Sequence, residues 1–218
     1  MASQVWQEVD RYIADTLVQP DAALDAALAA SDAAGLPPIS VSPAHGKLLW
    51  LLARTLGAKR ILEIGTLGGY STIWLARGLA PGGRLITLEA LEKHAAVARS
   101  NIDRAGLAKL VEIRVGQALA TLPSVEGPFD LSFIDADKQN NAEYFSWALK
   151  LSRPGSLIVV DNVVREGAVI DAHSRDKAVQ GVRRLNQLIA AERRVAATAI
   201  QTVGLKGYDG FAIALVLA

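Results

Sequence analysis

Short apolar runs punctuate this chain from Arg60 onward: "RILEIG", "RLITLEA", "VEIRVG", "FDLSFIDAD" and "SLIVVDN", with helix-forming stretches such as "STIWLARGLA" and "KHAAVARSNIDRAG" among them. Strands that are apolar on both faces must be covered on both faces. Parallel pairing supplies that cover, because each crossover lays a helix on the sheet. The expected fold is therefore α/β, an open and mostly parallel sheet with helices on both sides. The end of the chain differs, since "VAATAIQTV", the turn "GLKGYDG" and "FAIALVLA" read as two strands joined hairpin-fashion, giving an antiparallel edge. Before Arg60 the pattern is helical. Val5, Val9, Tyr12 and Leu17 recur at helical spacing, and "DAALDAALAA" is rich in helix formers. "GLPPISVSPAHG" interrupts, and Ser42 followed by Pro43 suits an N-cap and first helical position ahead of Leu48, Leu49, Leu52 and Leu56. With no repeat, low-complexity tract or linker, residues 1–218 are expected to form one domain: an extra helical cover over 1–57 and an α/β core over 58–218.

Bulk properties narrow the function. Hydrophobic residues make up 51% and charged residues 21%, which suits a folded globular chain. The 23 basic and 22 acidic side chains leave a net charge of +1, so no electrostatic argument favours nucleic acid or a membrane surface as partner. Cysteine is absent, which excludes disulfides, thiolate catalysis and cysteine-ligated metals. The start, "MASQVWQEVDRY", lacks the basic then apolar pattern of a signal peptide, and no apolar run reaches the ~18 to 20 residues of a membrane span. A cytoplasmic protein is expected.

In an open α/β sheet, ligands sit beyond the carboxyl ends of the strands, where the winding reverses. Those ends are Glu63-Ile64-Gly65, Glu89, Gly116-Gln117-Ala118, Asp135-Ala136-Asp137-Lys138 and Asp161-Asn162. Polar residues or glycines at every end, most with a carboxylate, favour a site over a set of ordinary surface turns. "EIGTLGGYS" places Gly65, Gly68 and Gly69 between strand and helix, where a ligand can approach the backbone. The dinucleotide fingerprint G-x-G-x-x-G fails, because its second and third glycines would fall on Leu67 and Tyr70. A nicotinamide-dependent oxidoreductase is therefore the weaker alternative. Glu89, ending the second strand, can accept from both hydroxyls of a ribose, and its bland alternative is a first-turn acid for the helix near Leu91. Ribose capture without a pyrophosphate cradle suggests S-adenosylmethionine.

"EIGTLGGYS", "LE", "GQA", "FIDADK" and "DN" occur in order and at intervals that resemble the class I metal-dependent O-methyltransferases of the catechol and caffeoyl-coenzyme A type. The resemblance runs from about Ser42 to the C-terminus and includes "GYDGFAIALV". It implies a Rossmann-like methyltransferase fold with a seven-stranded sheet whose last strand is antiparallel. It also implies that Glu63, Gly65, Thr66 and Ser71 contact the methionine end of the cofactor, with Val41 lining that side. By the same resemblance Glu89 holds the ribose, Ala118 borders the adenine and Asp137 lies near the cofactor amino group. Gln117 departs from the pattern, since an acid is common there in relatives.

If the fourth and fifth strands are neighbours, Asp135 and Asp161-Asn162 end ~5 Å apart. Two carboxylates and an amide oxygen suit a hard divalent cation, Mg²⁺ or else Mn²⁺ or Ca²⁺, better than zinc. Solvated acids capping turns are the alternative. A phenol with a pKa of ~10 is a poor nucleophile at neutral pH, and a divalent cation would acidify and position it. By resemblance Lys138 is the catalytic base; otherwise it is the partner of Asp137 or another nearby acid. The expected reaction is methyl transfer from S-adenosylmethionine to a hydroxyl of a small catechol-like or phenylpropanoid aromatic. Methylation of a hydroxylated base in tRNA is a further alternative, which the near-neutral charge disfavours. Arg165 and Glu166 stand where relatives contact the acceptor, and plant members commonly carry other residues there. The N-terminal helices are expected, again by resemblance, to cover the pocket or to build a homodimer. His45, His94 and His173 read as scattered surface or helix residues with no metal role.

Overall fold

The structure is a computed structural model that describes residues 2–218, with side chains described from Gln4. Three helices come first: α1 (Ala2–Leu17), α2 (Ala22–Ala33) and α3 (Pro43–Thr55). The alternating part follows as β1 (Arg60–Ile64), α4 (Tyr70–Gly78), β2 (Arg84–Glu89), α5 (Glu92–Arg104), β3 (Val111–Val115), the short α6 (Ala118–Thr121) and β4 (Phe129–Ile134). Then come α7 (Asn141–Lys150), β5 (Ser152–Asp161), α8 (Lys177–Ala191), β6 (Val195–Gly204) and β7 (Gly207–Val216). The strands form one seven-stranded sheet in the order β3-β2-β1-β4-β5-β7-β6. β1 to β5 pair in parallel, and β7 runs antiparallel between β5 and β6. The expected sheet and its antiparallel last strand are both present.

Both faces of the sheet are covered, as the apolar runs require. Leu62, Ile86, Ile134 and Ile158 point to the layer of α6, α7 and α8, and Ile61, Leu85, Leu131 and Val159 to the layer of α2 through α5. The N-terminal turn of α3 forms as its sequence suggests, with the Ser42 hydroxyl accepting from the His45 amide at 3.2 Å. α1 is helical as its spacing suggests. Its spaced Val5, Val9, Tyr12 and Leu17 are exposed, as are Ile200 and Val203 on β6 at the sheet edge. β5 starts earlier than "SLIVVDN", because Arg153 to Ser156 bulge away from β4, which accommodates Pro154. Among the described residues, no helix is long and apolar enough to cross a membrane.

The order of strands puts the winding reversal between β1 and β4. Ile64 is in register with Ile134, and Ile134 with Val160. Gly65, Asp135 and Asp161 therefore leave the sheet side by side.

Candidate active site

Gly65 is the joint between the glycine loop and the acidic strand end. Its φ is +102°, and a Cβ there would lie 2.2 Å from the Asp135 carbonyl oxygen. Only glycine satisfies both the torsion and the contact. Leu67 and Gly69 also have positive φ, and the loop turns into α4 at Tyr70. Glu89 fastens this loop from β2: its Oε2 accepts from the amides of Thr66 (3.2 Å) and Leu67 (2.8 Å), while Oε1 accepts from the Leu91 amide (3.0 Å). Asn101, fully buried on α5, donates to the carbonyls of Gly68 (2.9 Å) and Ala27 (3.3 Å) and so ties the loop to α2.

Glu63 lies behind the loop, wholly buried. It accepts from Ser71 and Thr87 (both 2.7 Å) and from Thr72. Burial pushes its carboxyl up to about 7, against the pull of those hydroxyls. Three hydroxyl donors thus satisfy one buried acid directly beneath the loop.

A cavity of about 520 Å³ opens beside this loop. Val41, Gly65, Thr66, Ser71, Glu89, Ala118, Asp135 and Asp137 all line it, with Lys138 and Asn162. A second cavity of about 560 Å³ contains Asp161, His45, Lys206 and Phe211. The two share Ile39, Ser40, Val41, Asn162 and Arg165, so they meet between the segment ahead of α3 and the loop after β5, with Asp135 lining the first and Asp161 the second.

At that meeting point the charges are close. Lys138 Nζ lies 2.6 Å from Asp135 Oδ1, rather than on Asp137. Asp137 is engaged instead by the Tyr144 hydroxyl and the Asn140 amide, and the Tyr144 phenol is held well above its usual range, mainly by burial and then by Asp137. Asp161 is buried. Desolvation first, and the Asp135 charge second, raise its carboxyl well above the ordinary carboxylate range, although Lys138 opposes this. The following loop is strained, with φ near +55° at Asn162, Arg165 and Glu166. Asp209 of β7 holds it by accepting from the Val164 and Arg165 amides (3.0 Å each). The 3-10 turn carrying Lys138 rests on α8, where a Cβ on Gly181 would fall 2.1 Å from the Lys138 carbonyl.

The sequence of residues 21–215 matches the profile of the O-methyltransferase family. This chain belongs to that family. The methyltransferase is 56% identical over 220 residues to a catechol O-methyltransferase of Niastella koreensis, covering 99% of this chain and all of the relative. It is 58% identical over 210 residues to a catechol O-methyltransferase of Mycobacterium tuberculosis, covering 96% and 95%. A solved O-methyltransferase of Bacillus cereus, in complex with SAH, superposes with a TM-score of 0.96 at 60% identity, covering 98% of this chain and 99% of that one. The methyltransferase is accordingly an S-adenosylmethionine-dependent enzyme of the catechol O-methyltransferase type.

Two histidines that read as scattered belong to the site. His94 Nδ1 is 3.4 Å from Glu89 Oε1 at the edge of the first cavity, and His45 Nδ1 is 3.7 Å from Asp161 Oδ2 in the second. The first is local, since His94 lies in the first turn of the helix just after β2, whereas α3 brings His45 to Asp161 only through packing. Gly181 carried a weaker signal, since a glycine inside a helix needs a reason, whereas nothing in the sequence marked Asn101 as buried.

Among the described residues, no three histidine, cysteine, aspartate or glutamate side chains form a metal-holding group. The donors at the strand ends are two carboxylates and the Asn162 amide. Two acids, one of them desolvated, on neighbouring strands fit a hard cation by charge and by donor type.

Proposed function

We propose that the enzyme methylates a hydroxyl of a small catechol-like or phenylpropanoid aromatic, with a divalent cation held by Asp135, Asp161 and Asn162. The observation that carries this reading is that two cavities meet at Asn162, one lined by Asp135, the glycine loop and Glu89 and the other by Asp161, His45 and Phe211. In the first cavity, Gly65, Thr66 and Ser71 take the methionine end of S-adenosylmethionine, backed by the buried Glu63, and Asp137 faces its amino group. Glu89, with amides of Thr66, Leu67 and Leu91 on three of its acceptor sites, keeps one on Oε1 for a ribose hydroxyl while fastening the loop, and Ala118 borders the adenine. The aromatic acceptor occupies the second cavity.

A bound Mg²⁺ or similar cation would acidify two adjacent hydroxyls and offset the repulsion of the paired carboxylates. With a cation competing for Asp135, the Lys138 ammonium gives way to its neutral amine, whose Nζ accepts the proton of the reacting hydroxyl; the oxygen attacks the sulfonium methyl as the carbon–sulfur bond breaks, releasing S-adenosylhomocysteine. Gly65 fixes the distance between the donor loop and the acceptor end, and such positioning lowers the barrier without new chemistry. The cysteine-free sequence fits work in the cytoplasm. A homodimer would cover the exposed apolar residues of α1 and β6.

The test is a mass-spectrometric screen of catechols, flavonoids and hydroxycinnamoyl esters with S-adenosylmethionine, with and without EDTA. Monomethylated product from vicinal diols, lost with EDTA and restored by Mg²⁺, is expected. Full activity in EDTA would remove the cation, and methylation of transfer RNA in preference to every small aromatic would replace the acceptor.

A further inference from the structure

The buried surroundings of Asp161 point to a residue outside the motifs. Asp161 Oδ1 is occupied by the Asn162 amide at 2.8 Å, which fixes one oxygen of the carboxylate. The other oxygen, Oδ2, faces the His45 imidazole, whose Nδ1 is 3.7 Å away. His45 sits in the first turn of α3, where its own amide is bound by Ser42 and Pro43 sets the backbone ahead of it. Its ring is packed between two others, 5.3 Å from Phe211 on β7 and 6.2 Å, edge-on, from Phe133 on β4. Among the described residues its Nε2 is buried without a hydrogen-bond partner. The ring is thus anchored by packing and by its helix, and the carboxylate expected to hold the cation lies opposite Nδ1.

We propose that His45 is a positioning residue for Asp161. The tautomer with its proton on Nδ1 turns that N–H toward Oδ2. At 3.7 Å the contact exceeds a formed hydrogen bond. A small shift of the ring toward Oδ2 would close it while Oδ1 stays on the Asn162 amide. An outer partner of this kind restrains a ligating carboxylate and raises cation affinity; loss of one typically costs 10- to 100-fold. His45 does not touch the reacting atoms in this scheme, and the proposal rests on the cation reading given above.

The experiment titrates Mn²⁺ alone into the full-length enzyme and follows free Mn²⁺ by electron paramagnetic resonance, with S-adenosylhomocysteine affinity measured in parallel by calorimetry. The variants are His45→Phe, which keeps the ring packing and loses the donor; His45→Leu, which loses both; and His45→Asn, whose amide nitrogen stands near the position of Nδ1. Wild type should bind one Mn²⁺. His45→Phe and His45→Leu should bind it at least about tenfold more weakly, and His45→Asn within about threefold of wild type, all with unchanged S-adenosylhomocysteine affinity. If His45→Leu fails to fold, the comparison of His45→Phe with His45→Asn carries the test. Wild-type Mn²⁺ affinity in a folded His45→Phe would overturn the role of His45 while leaving the cation reading intact. Equal weakening in all three variants would reduce His45 to a packing residue. Failure of wild type to bind Mn²⁺, or binding undisturbed by Asp161→Asn, would instead overturn the cation reading, and this inference with it.

Discussion

Glu63 offers the most direct measure of what this site costs the fold. Its carboxyl is raised from an ordinary 4.5 to about 7, first by burial, with Ser71, Thr72 and Thr87 only partly offsetting it. A folded-state value above the unfolded one means that the native state binds the extra proton. The stabilising contribution is complete below pH 4.5 and is lost as the pH rises through 7. The gap of ~2.5 units, at about 1.36 kcal/mol each, amounts to about 3 kcal/mol. For a chain of this size that is a shift of about 6–12 °C in Tm. Glu63→Gln removes the titration and keeps the shape: its amide oxygen can face Thr72 and Thr87 while its nitrogen donates to the Ser71 hydroxyl. Thermal melts of the ligand-free enzyme followed by circular dichroism, from pH 4.5 to 8.5, are the assay. The wild-type Tm minus the variant Tm should fall by about 6–12 °C across that window. At pH 8 the variant should be the more stable protein, yet bind S-adenosylmethionine more weakly, because it no longer offers a negative charge to the methionine end. A difference that stays flat with pH would refute the argument that this buried acid is held ionised at a cost to stability.

Lys138→Ala should lower turnover by about 10²- to 10⁴-fold, the usual worth of a positioned base, while S-adenosylhomocysteine affinity measured by calorimetry stays near wild type; unchanged turnover would remove the lysine from the reaction. Gly65→Ala forces a side chain into positive φ against the Asp135 carbonyl. It should cost about 2–4 kcal/mol in denaturant unfolding and weaken cofactor binding, and a variant as stable as wild type would show that the loop gives way freely. Asp161→Ala combined with Asn162→Ala should abolish the response of the initial rate to added Mg²⁺, and a persisting response would move the cation elsewhere.

How much of this was written in the sequence follows from the range of the interactions. The alternation of apolar runs with helical stretches reports burial on both faces of a strand, a local property, so the parallel sheet and the list of strand ends were legible from it. The glycine loop was legible too, since a positive φ limits the choice of residue at the position itself. α1 was legible as a helix but not as an exposed one: spacing gives periodicity, and only the packed structure tells which face meets a neighbour. His45 and His94 lie on helices as read, but the approach of His45 to Asp161 was not legible, because that partner is distant in the chain.

Sequence alone determined that five strand ends would carry polar or glycine residues in an order resembling one methyltransferase family. The tertiary structure decided that β1, β4 and β5 lie side by side, that Lys138 pairs with Asp135, and that Asp161 is desolvated beside a histidine from α3. Composition and spacing act through neighbours along the chain, whereas desolvation and charge coupling depend on what packing brings within a few ångströms. The site was therefore foreseeable as a set of residues, and its electrostatics was not.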